Sequence, residues 1–279
     1  MSLLVDPARW PHRGGLWCHL VSDASFEELH EFAHRLGIPR VAFQGDHYDL
    51  DEKTRQSAVQ LGARTVDPRV IVSVLGAAGL RRGPALVRRG LAGVRDLPAP
   101  QRRTDRLLLR QWRDDDREAF AAMNADPAVA RWLGGPLRRD QSDALVDRHA
   151  VLLAVRGFGL WSVERSDTGE FVGAVGLNGV GSEFSFGPAL EVAWRLAPGH
   201  QGRGFATEAA REALTYAASV LEVSRVAAFT SVHNDASLSV MDRLGMRADD
   251  RFGGAMFDHP NLDLGHPLRR HALRWWTPT

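Results

Sequence analysis

The chain has 279 residues, of which 44% are apolar, and a formal net charge of +1 at pH 7. This length suits one large or two ordinary domains with hydrophobic cores, and the near-neutral charge argues against a nucleic-acid-binding protein. The chain has a single cysteine, Cys18, which excludes an intramolecular disulfide and a cysteine-based zinc cluster. The sequence shows neither a signal-peptide pattern nor an apolar run of membrane-spanning length. We therefore expect a cytoplasmic protein with no membrane partner.

Residues 1–82 alternate short strand-like and helix-like segments, which predicts a small α/β domain. Leu3-Leu4-Val5 and the apolar run 16–21 are typical of strands. Ser25, with Glu28 three residues later, predicts a capping box at the start of a helix that ends near Leu36. The remaining segments are predicted as a strand at 40–43, a helix at 52–61, a strand at 64–66 and a helix at 68–76.

One stretch of this region matches the letters of a zinc-protease motif. His30-Glu31-Phe32-Ala33-His34 has the form His-Glu-x-x-His, which places two imidazoles on one helix face. No third ligand is marked downstream, and Phe32 and Ala33 indicate ordinary core packing. We therefore interpret the stretch as a packed helix and predict no metal site.

Three ordered motifs in residues 3–81 resemble a small bacterial domain family of unknown function. They are Val5-Asp6-Pro7 followed by Trp10-Pro11, His19-Leu20-Val21-Ser22-Asp23 before a helix, and Asp46-His47-Tyr48-Asp49. The resemblance implies no activity. Four polar residues of these motifs either form a polar site or cap turns and strand ends: Asp6, His19, Asp46 and His47. We favour the capping interpretation.

Residues 83–103 change character, because prolines and glycines interrupt any sustained periodicity. We predict a linker here. Residues 104–279 then form a second domain, with the predicted elements being a strand at 104–110, helices from 114, at 126–132 and at 139–156, strands at 159–164, 171–177 and 190–196, a helix from 207, a strand at 225–230, a helix at 235–244 and a strand at 268–276.

A glycine-rich turn lies between the alternating strand at 190–196 and the helix from Thr207. The first amides of a helix lack intrahelical partners and sit at the positive end of its dipole, so this turn predicts an anion site. Two nucleotide motifs fit it badly. A P-loop needs a lysine, but the chain's only lysine is Lys53; the dinucleotide fingerprint needs a small residue at Thr207 and an acid after the next strand.

Gln201, Gly204 and Ala206 fit the pattern Gln/Arg-x-x-Gly-x-Gly/Ala and resemble the pyrophosphate-binding turn of the GNAT acyltransferases. Further motifs place the resemblance over residues 104–276, near the Rim-type ribosomal-protein N-acetyltransferases: Thr104–Arg110, Glu191–Leu196, Asn234 with Ser237, and Leu244-Gly245-Met246. The resemblance implies an α/β (α+β) fold with a mixed, splayed central sheet, and acetyl-coenzyme A as the co-substrate. It also implies the cofactor-binding residues: Leu196, Gln201, Gly202, Arg203, Gly204, Phe205, Ala206 and Asn234.

The resemblance also suggests where the chemistry takes place. Glu191 is the candidate general base, and its alternative is a structural hydrogen bond or salt bridge. Many relatives carry a tyrosine acid seven residues after the asparagine, but this chain has Met241 there, which leaves Ser237 as the candidate acid or as an ordinary first-turn residue. The long loop before the last strand supplies Asp258 and His259 as candidate acceptor-binding residues, with plain loop hydrogen bonding as the alternative.

We therefore expect an N-acetyltransferase acting on a small-molecule or peptide amine. A noncatalytic acyl-coenzyme A sensor, whose N-terminal domain binds a partner or nucleic acid, remains the alternative. The acceptor is not identified by the sequence, and homodimer formation stays open.

Overall fold

A computed structural model describes residues 2–12, 15–82, 84–181, 183–252, 254–261 and 266–278. The chain divides into two compact units, Met1–Arg88 and Arg89–Thr279. Within the described residues, no helix is long and apolar enough to cross a membrane.

The first unit is built on a five-stranded sheet. Its strands are β1 (Leu3–Val5), β2 (Trp10–His12), β3 (Gly15–Ser22), β4 (Tyr48–Asp51) and β5 (Arg64–Thr65). The central strand β3 pairs antiparallel with β1, β2 and β4, and β1 pairs in parallel with β5. The mixed sheet agrees with the predicted small α/β domain.

Three helices cover this sheet on both faces: α1 (Phe26–Arg35), α2 (Glu52–Gln60) and α3 (Pro68–Ala77). Buried side chains of α1 and α2, such as Phe32 and Ala58, pack with Val5 and Leu20. Leu75 of α3 packs with strand residues whose side chains alternate to the other face. The buried apolar residues of β1 and β3 therefore divide between two cores, one on each face of the sheet.

Two local predictions for this unit were wrong. Residues Arg40–Ala42 form a short 3₁₀ helix instead of a strand. The capping box at α1 is only half made: Ser25 Oγ accepts the Glu28 amide, but the Glu28 carboxylate accepts a hydrogen bond from the Ser22 hydroxyl. The Ser25 amide donates to Ser22 Oγ instead, because this serine ends a neighbouring strand and competes successfully for both groups.

The predicted linker 83–103 contains a helix, α4 (Pro84–Val94), which is interrupted at Gly90 with φ 53°. From Arg89 onward the chain belongs to the second unit. There Leu91 and Val94 are buried, and the Leu91 amide donates to the Asp147 carboxylate. The connection between the units is thus shorter than the glycine and proline content suggests, because apolar residues in its second half are packed.

The second unit contains an eight-stranded mixed sheet. Its strands are β6 (Arg102–Arg103), β7 (Leu107–Arg110), β8 (Leu160–Arg165), β9 (Phe171–Val180), β10 (Ala189–Leu196), β11 (Val226–Ser231), β12 (Met256–Asp258) and β13 (Arg270–Trp276). They lie in the order β12-β13-β11-β10-β9-β8-β7-β6 across the sheet. Its helices are α5 (Asp116–Ala125), α6 (Pro127–Ala130), α7 (Arg139–Arg156), α8 (Phe205–Ser219) and α9 (Asp235–Arg243).

The sheet opens between β10 and β11. Antiparallel pairing joins β10 to β9 over all eight residues, from Ala189 to Leu196. The parallel pairing with β11 has a single register pair, Glu191 with Ala227. Beyond that pair the two strands separate, which confirms the splayed central sheet that the resemblance implied.

A buried ion network joins β7, β8 and α5. Arg110 donates to both carboxylate oxygens of Asp116, at 2.7 and 2.8 Å, and to Glu164 at 2.6 Å. Burial opposes the charge of Arg110, but the two carboxylates raise its pKa further above the ordinary value. The network anchors α5 to the far side of the sheet from the opening.

Candidate functional site

The glycine turn lies at the open end of β10, and α8 begins within it. Gly202 and Gly204 have φ of 73° and 82°, the left-handed conformation that glycine adopts without steric cost. Residues 201–204 are exposed, and Gly204 is the N-cap of α8, so the N-terminal end of this helix begins directly after an exposed turn. The Gln201 side chain donates to the Leu196 carbonyl at 3.0 Å, which ties the turn to the end of β10.

A basic side chain, Arg106, supports this turn from the β6–β7 connection. Arg106 donates to the Arg203 carbonyl at 3.1 Å, its guanidinium lies 4.7 Å from the Phe205 ring centroid, and it forms a 2.6 Å ion pair with Glu208. Burial of Glu208 opposes its charge, but hydrogen bonds from Thr104 and Arg106 hold its pKa below the ordinary value. Arg106 therefore balances the one acid in the first turn of α8 and leaves the positive end of the helix available to an anion.

Glu191 lies where β10 and β11 begin to separate. It faces Asn178 across the β9–β10 ladder and accepts a hydrogen bond from that side chain. Burial nevertheless raises the pKa of Glu191 to about 8. A carboxyl whose pKa lies near neutrality can exchange a proton under working conditions, which an ordinary surface glutamate does not do efficiently.

Ser237 and Asn234 lie at the start of α9. Asn234 is buried and caps the helix: its Oδ1 accepts the Ser237 amide at 3.3 Å, and its Nδ2 donates to Thr230 Oγ1 at 3.1 Å. The Trp194 indole N–H donates to Ser237 Oγ at 3.3 Å, which bridges from β10 to α9. Trp194 and Glu191 point to opposite faces of β10. Ser237, which Trp194 contacts, and Glu191 therefore approach the opening from different sides.

Asp258 and His259 belong to the C-terminal end of β12 and its following residue. Asp258 pairs with Arg270 at 3.1 Å and Arg269 at 3.6 Å, and these arginines lower its pKa. His259 packs against other rings, and burial together with the neighbouring His271 lowers its pKa to about 4. The cluster it joins comprises Phe184, Phe229, Phe257 and His271.

This aromatic cluster lies beside the Glu191 face of the sheet. Phe229 follows Ala227, the register partner of Glu191, by two residues on β11, so their side chains share a face. His259 therefore belongs to the wall of the same face as Glu191, whereas Asp258, one residue earlier, alternates to the other face, where it pairs with Arg270. Their hydrogen bonds within the protein match the loop-bonding alternative, and acceptor binding by either residue stays a prediction.

Sequence reasoning missed Asn178, Arg106 and Trp194 as site residues. Asn178 and Arg106 become neighbours of Glu191 and the turn only through strand pairing and helix packing, so no local signal marks them. Trp194 is in the recognised strand, and its position three residues after Glu191 indicated the opposite face. Its contact with Ser237 depends on where α9 begins.

The structure brings together the four polar residues of the first unit. His19 Nδ1 lies 2.9 Å from Asp6 Oδ2, and His47 Nδ1 lies 2.6 Å from Asp46 Oδ1. The two imidazole centroids are 5.0 Å apart. Both aspartates also accept hydrogen bonds from backbone amides, Asp6 from His19 and Asp46 from Arg82. The four residues thus cap the backbone, as the capping interpretation expects, and also form one polar group.

The first histidine of the zinc-protease pattern, His30, is engaged within the first unit. His30 Nδ1 is hydrogen-bonded to the Tyr48 hydroxyl at 2.8 Å, and its ring packs against Phe43. Burial and the charge of Arg40 lower the pKa of His30 to about 4. His30 is thus a half-buried histidine that is hydrogen-bonded and packed within the first unit.

Comparison with known proteins matches each unit to a family. Residues 106–247 match the family described as the acetyltransferase (GNAT) domain, and residues 3–78 match a protein family of unknown function, DUF4031. The Bacillus subtilis uncharacterized N-acetyltransferase YoaA is 29% identical over 148 residues, covering 52% of this chain and 82% of that protein. The uncharacterized protein YkkB from the same organism is 31% identical over 144 residues, covering 51% and 83%.

A solved structure shares the same fold. The acetyltransferase from Agrobacterium tumefaciens superposes with a TM-score of 0.50 at 26% identity, covering 65% of this chain and 96% of its own. The predicted fusion of two families and the predicted fold are both confirmed. The chain belongs to the GNAT acetyltransferase family, and it is an acetyltransferase that carries a unit of a second family before its GNAT domain.

Proposed function

We propose that the second unit transfers an acetyl group from acetyl-coenzyme A to a primary amine, by direct attack of the amine while both substrates are bound. The observation that carries this proposal is the opening of β10 from β11 beside a glycine turn that starts α8. The opening offers main-chain groups of β10 to an extended ligand, and the turn offers helix amides to its phosphates.

The donor residues fit coenzyme A in their chemistry. The main-chain amides of Arg203, Gly204, Phe205 and Ala206 would hold the pyrophosphate, with the left-handed Gly202 and Gly204 allowing its close approach. Leu196 and its neighbours border the opening, where the pantetheine arm would lie. Asn234 would act here mainly by fixing the start of α9, because both ends of its amide already bond within the protein. The bound thioester supplies an activated acetyl group.

The acceptor amine must lose a proton before its nitrogen can attack. We assign this step to Glu191, directly or through water, because its raised pKa makes the carboxylate a base of suitable strength. Proximity of the bound amine contributes to the rate by converting a bimolecular encounter into an intramolecular reaction.

The departing sulfur gains negative charge as the new amide bond forms. Ser237 is the assigned proton donor: its oxygen accepts from the Trp194 indole, which leaves the hydroxyl hydrogen able to rotate toward the opening. Met241, buried seven residues after Asn234, cannot donate a proton. A tyrosine-based mechanism at that position is therefore excluded.

The test is turnover by the full-length chain. The protein is incubated with acetyl-coenzyme A and a panel of amines that includes N-terminal peptides and polyamines, and free thiol is followed. We expect thiol release that depends on the acceptor and acetylated product in equal amount. Tight coenzyme A binding without acceptor-dependent release by any amine would favour the noncatalytic sensor instead.

A further inference from the structure

A group of metal-ligand side chains lies in the first unit, in the part of the chain without an assigned function. One ligand atom from each of His19, His47 and Asp49 lies within 4.8 Å of the others. His19 and Asp49 are directly opposite each other in the β3–β4 ladder, and His47 precedes β4 by one residue. The β-sheet thus fixes the three positions relative to one another.

Each histidine is oriented by a buried carboxylate. Asp6 and Asp46 are 0% and 3% exposed, and each contacts the Nδ1 atom of one imidazole. A carboxylate at one ring nitrogen fixes the tautomer and leaves the other nitrogen, Nε2, as the metal ligand, an arrangement that recurs in zinc sites. Two such pairs facing each other form an orienting layer behind the ligands.

Ligand spacing agrees with a small cation. His47 Nε2 and Asp49 Oδ1 are 3.3 Å apart. In a tetrahedral site with bonds of about 2.0–2.1 Å, two ligand atoms are separated by about 3.4 Å. The remaining separations, within 4.8 Å, need to shorten by at most about 1.4 Å to reach that value.

Charge and accessibility also suit a cation. Three carboxylates, from Asp6, Asp46 and Asp49, surround the two imidazoles, while the Arg81 guanidinium lies 3.5 Å from Asp46. With neutral imidazoles these described groups carry excess negative charge. The ligand side chains are 31%, 23% and 36% exposed for His19, His47 and Asp49, so an ion can enter from solvent.

We propose that His19, His47 and Asp49 bind one divalent transition-metal cation of the zinc class, with Asp6 and Asp46 orienting the imidazoles. Two imidazole nitrogens and one carboxylate oxygen match the ligand preference of such ions. Three protein ligands leave a fourth position for water, as in zinc sites that act on a substrate. All of these residues belong to the first unit, and none of them is assigned a part in the proposed acetyl transfer.

The test uses the full-length protein, stripped with a chelator and titrated with zinc chloride by calorimetry. We expect one zinc ion per chain. The variants His19→Gln, His47→Gln and Asp49→Asn change partly exposed side chains and should each weaken zinc binding by about a hundredfold or more. The matched control is His233→Gln, an exposed histidine of the second unit, which should bind zinc as the parent does.

Asp6→Asn tests the orienting role, with about a 10- to 100-fold loss of zinc affinity expected. Circular dichroism of every variant establishes that it is folded. The proposal is overturned if the stripped parent takes up no zinc, or if the three folded ligand variants bind zinc as tightly as the parent. It is equally overturned if His233→Gln abolishes binding, because the ion would then lie elsewhere.

Discussion

Replacing Glu191 by glutamine removes the carboxylate charge while it keeps the size of the side chain and its ability to hydrogen-bond Asn178. In the parent protein, burial raises the pKa of Glu191 from 4.5 to about 8. The folded state therefore holds this proton more tightly than the unfolded state. Stability from this group is present below pH 4.5 and is lost as pH rises, with the loss complete above about pH 8.

The size of that loss follows from the shift. At about 1.36 kcal/mol per pKa unit, it amounts to about 5 kcal/mol. This is an upper value, because a partly exposed carboxylate retains some hydration. Relative to the parent, the free energy of unfolding of Glu191→Gln should therefore rise between pH 5 and pH 9 by up to about 5 kcal/mol. Urea-induced unfolding of both proteins at each pH measures the difference and cancels the contributions of other titrating groups.

Activity supplies the second measurement. General base catalysis is worth about 10²- to 10⁴-fold, so kcat of Glu191→Gln should fall by at least about a hundredfold at saturating acceptor. The parent rate should rise as pH passes about 8, and the variant should lack that rise. Glu183→Gln, at an exposed glutamate shortly before β10, is the matched control and should change neither property.

Two results would refute this reasoning separately. Equal pH dependence of stability in Glu191→Gln and the parent would show that the carboxylate is not desolvated. A shifted stability profile with unchanged kcat would leave the burial intact and remove Glu191 from the chemistry. The ionisation of the substrate amine would then have to account for the pH profile of the rate.

Three further predictions concern the turn and the fold. Gly204→Asp should weaken coenzyme A binding at least tenfold in calorimetry, because the new charge opposes the pyrophosphate at a residue with φ 82°. Gly169→Asp, with φ 73° in the β8–β9 turn, is the control for backbone strain. Equal affinity of Gly204→Asp and the parent would show that the pyrophosphate binds elsewhere. Arg106→Ala should lower coenzyme A affinity by about tenfold, or about 1.4 kcal/mol, because the charge of Glu208 is left unpaired beside the start of α8. Arg103→Ala, at an exposed arginine, is the control and should leave the affinity unchanged. An unchanged dissociation constant for Arg106→Ala would contradict the balancing role of Arg106. Arg110→Met should lower the free energy of unfolding, measured in urea, by about 3–5 kcal/mol, because Asp116 and Glu164 lose their buried partner. Arg113→Met, at a more exposed arginine, is the control. A loss below about 1 kcal/mol for Arg110→Met would contradict the contribution of the ion network to stability.

Sequence patterns predicted elements that depend on local chemistry. The alternation in 190–196, the glycines after it and the periodic alanines from Thr207 gave β10, the turn and α8 within two residues. The 40–43 segment failed because four apolar-rich residues after Pro39 do not distinguish a strand from a 3₁₀ turn. Likewise, Ser25 and Glu28 have the spacing of a capping box, but Ser22 outcompetes the local bonds.

Non-local features could not be predicted from the residues alone. The opening of the sheet is a property of strand pairing: nothing within β10 states that β11 meets it at one register pair. The resemblance supplied this expectation, and the pairing confirmed it. The four polar residues of the first unit are a similar case, because Asp6, His19 and His47 come from separate segments that only the β1–β3–β4 ladders bring together.

The single register pair between β10 and β11 makes the second unit's sheet two half-sheets joined along a seam. One half holds β6 to β10, and the other holds β11 to β13. Along the seam the main-chain groups of β10 that face β11 lack the ladder an ordinary neighbour would supply. A ligand that bonds there would act as an added strand segment, so binding of the donor would also complete the hydrogen bonding of the fold. The same hydrogen bonds would then contribute both to the affinity for the donor and to the stability of the sheet.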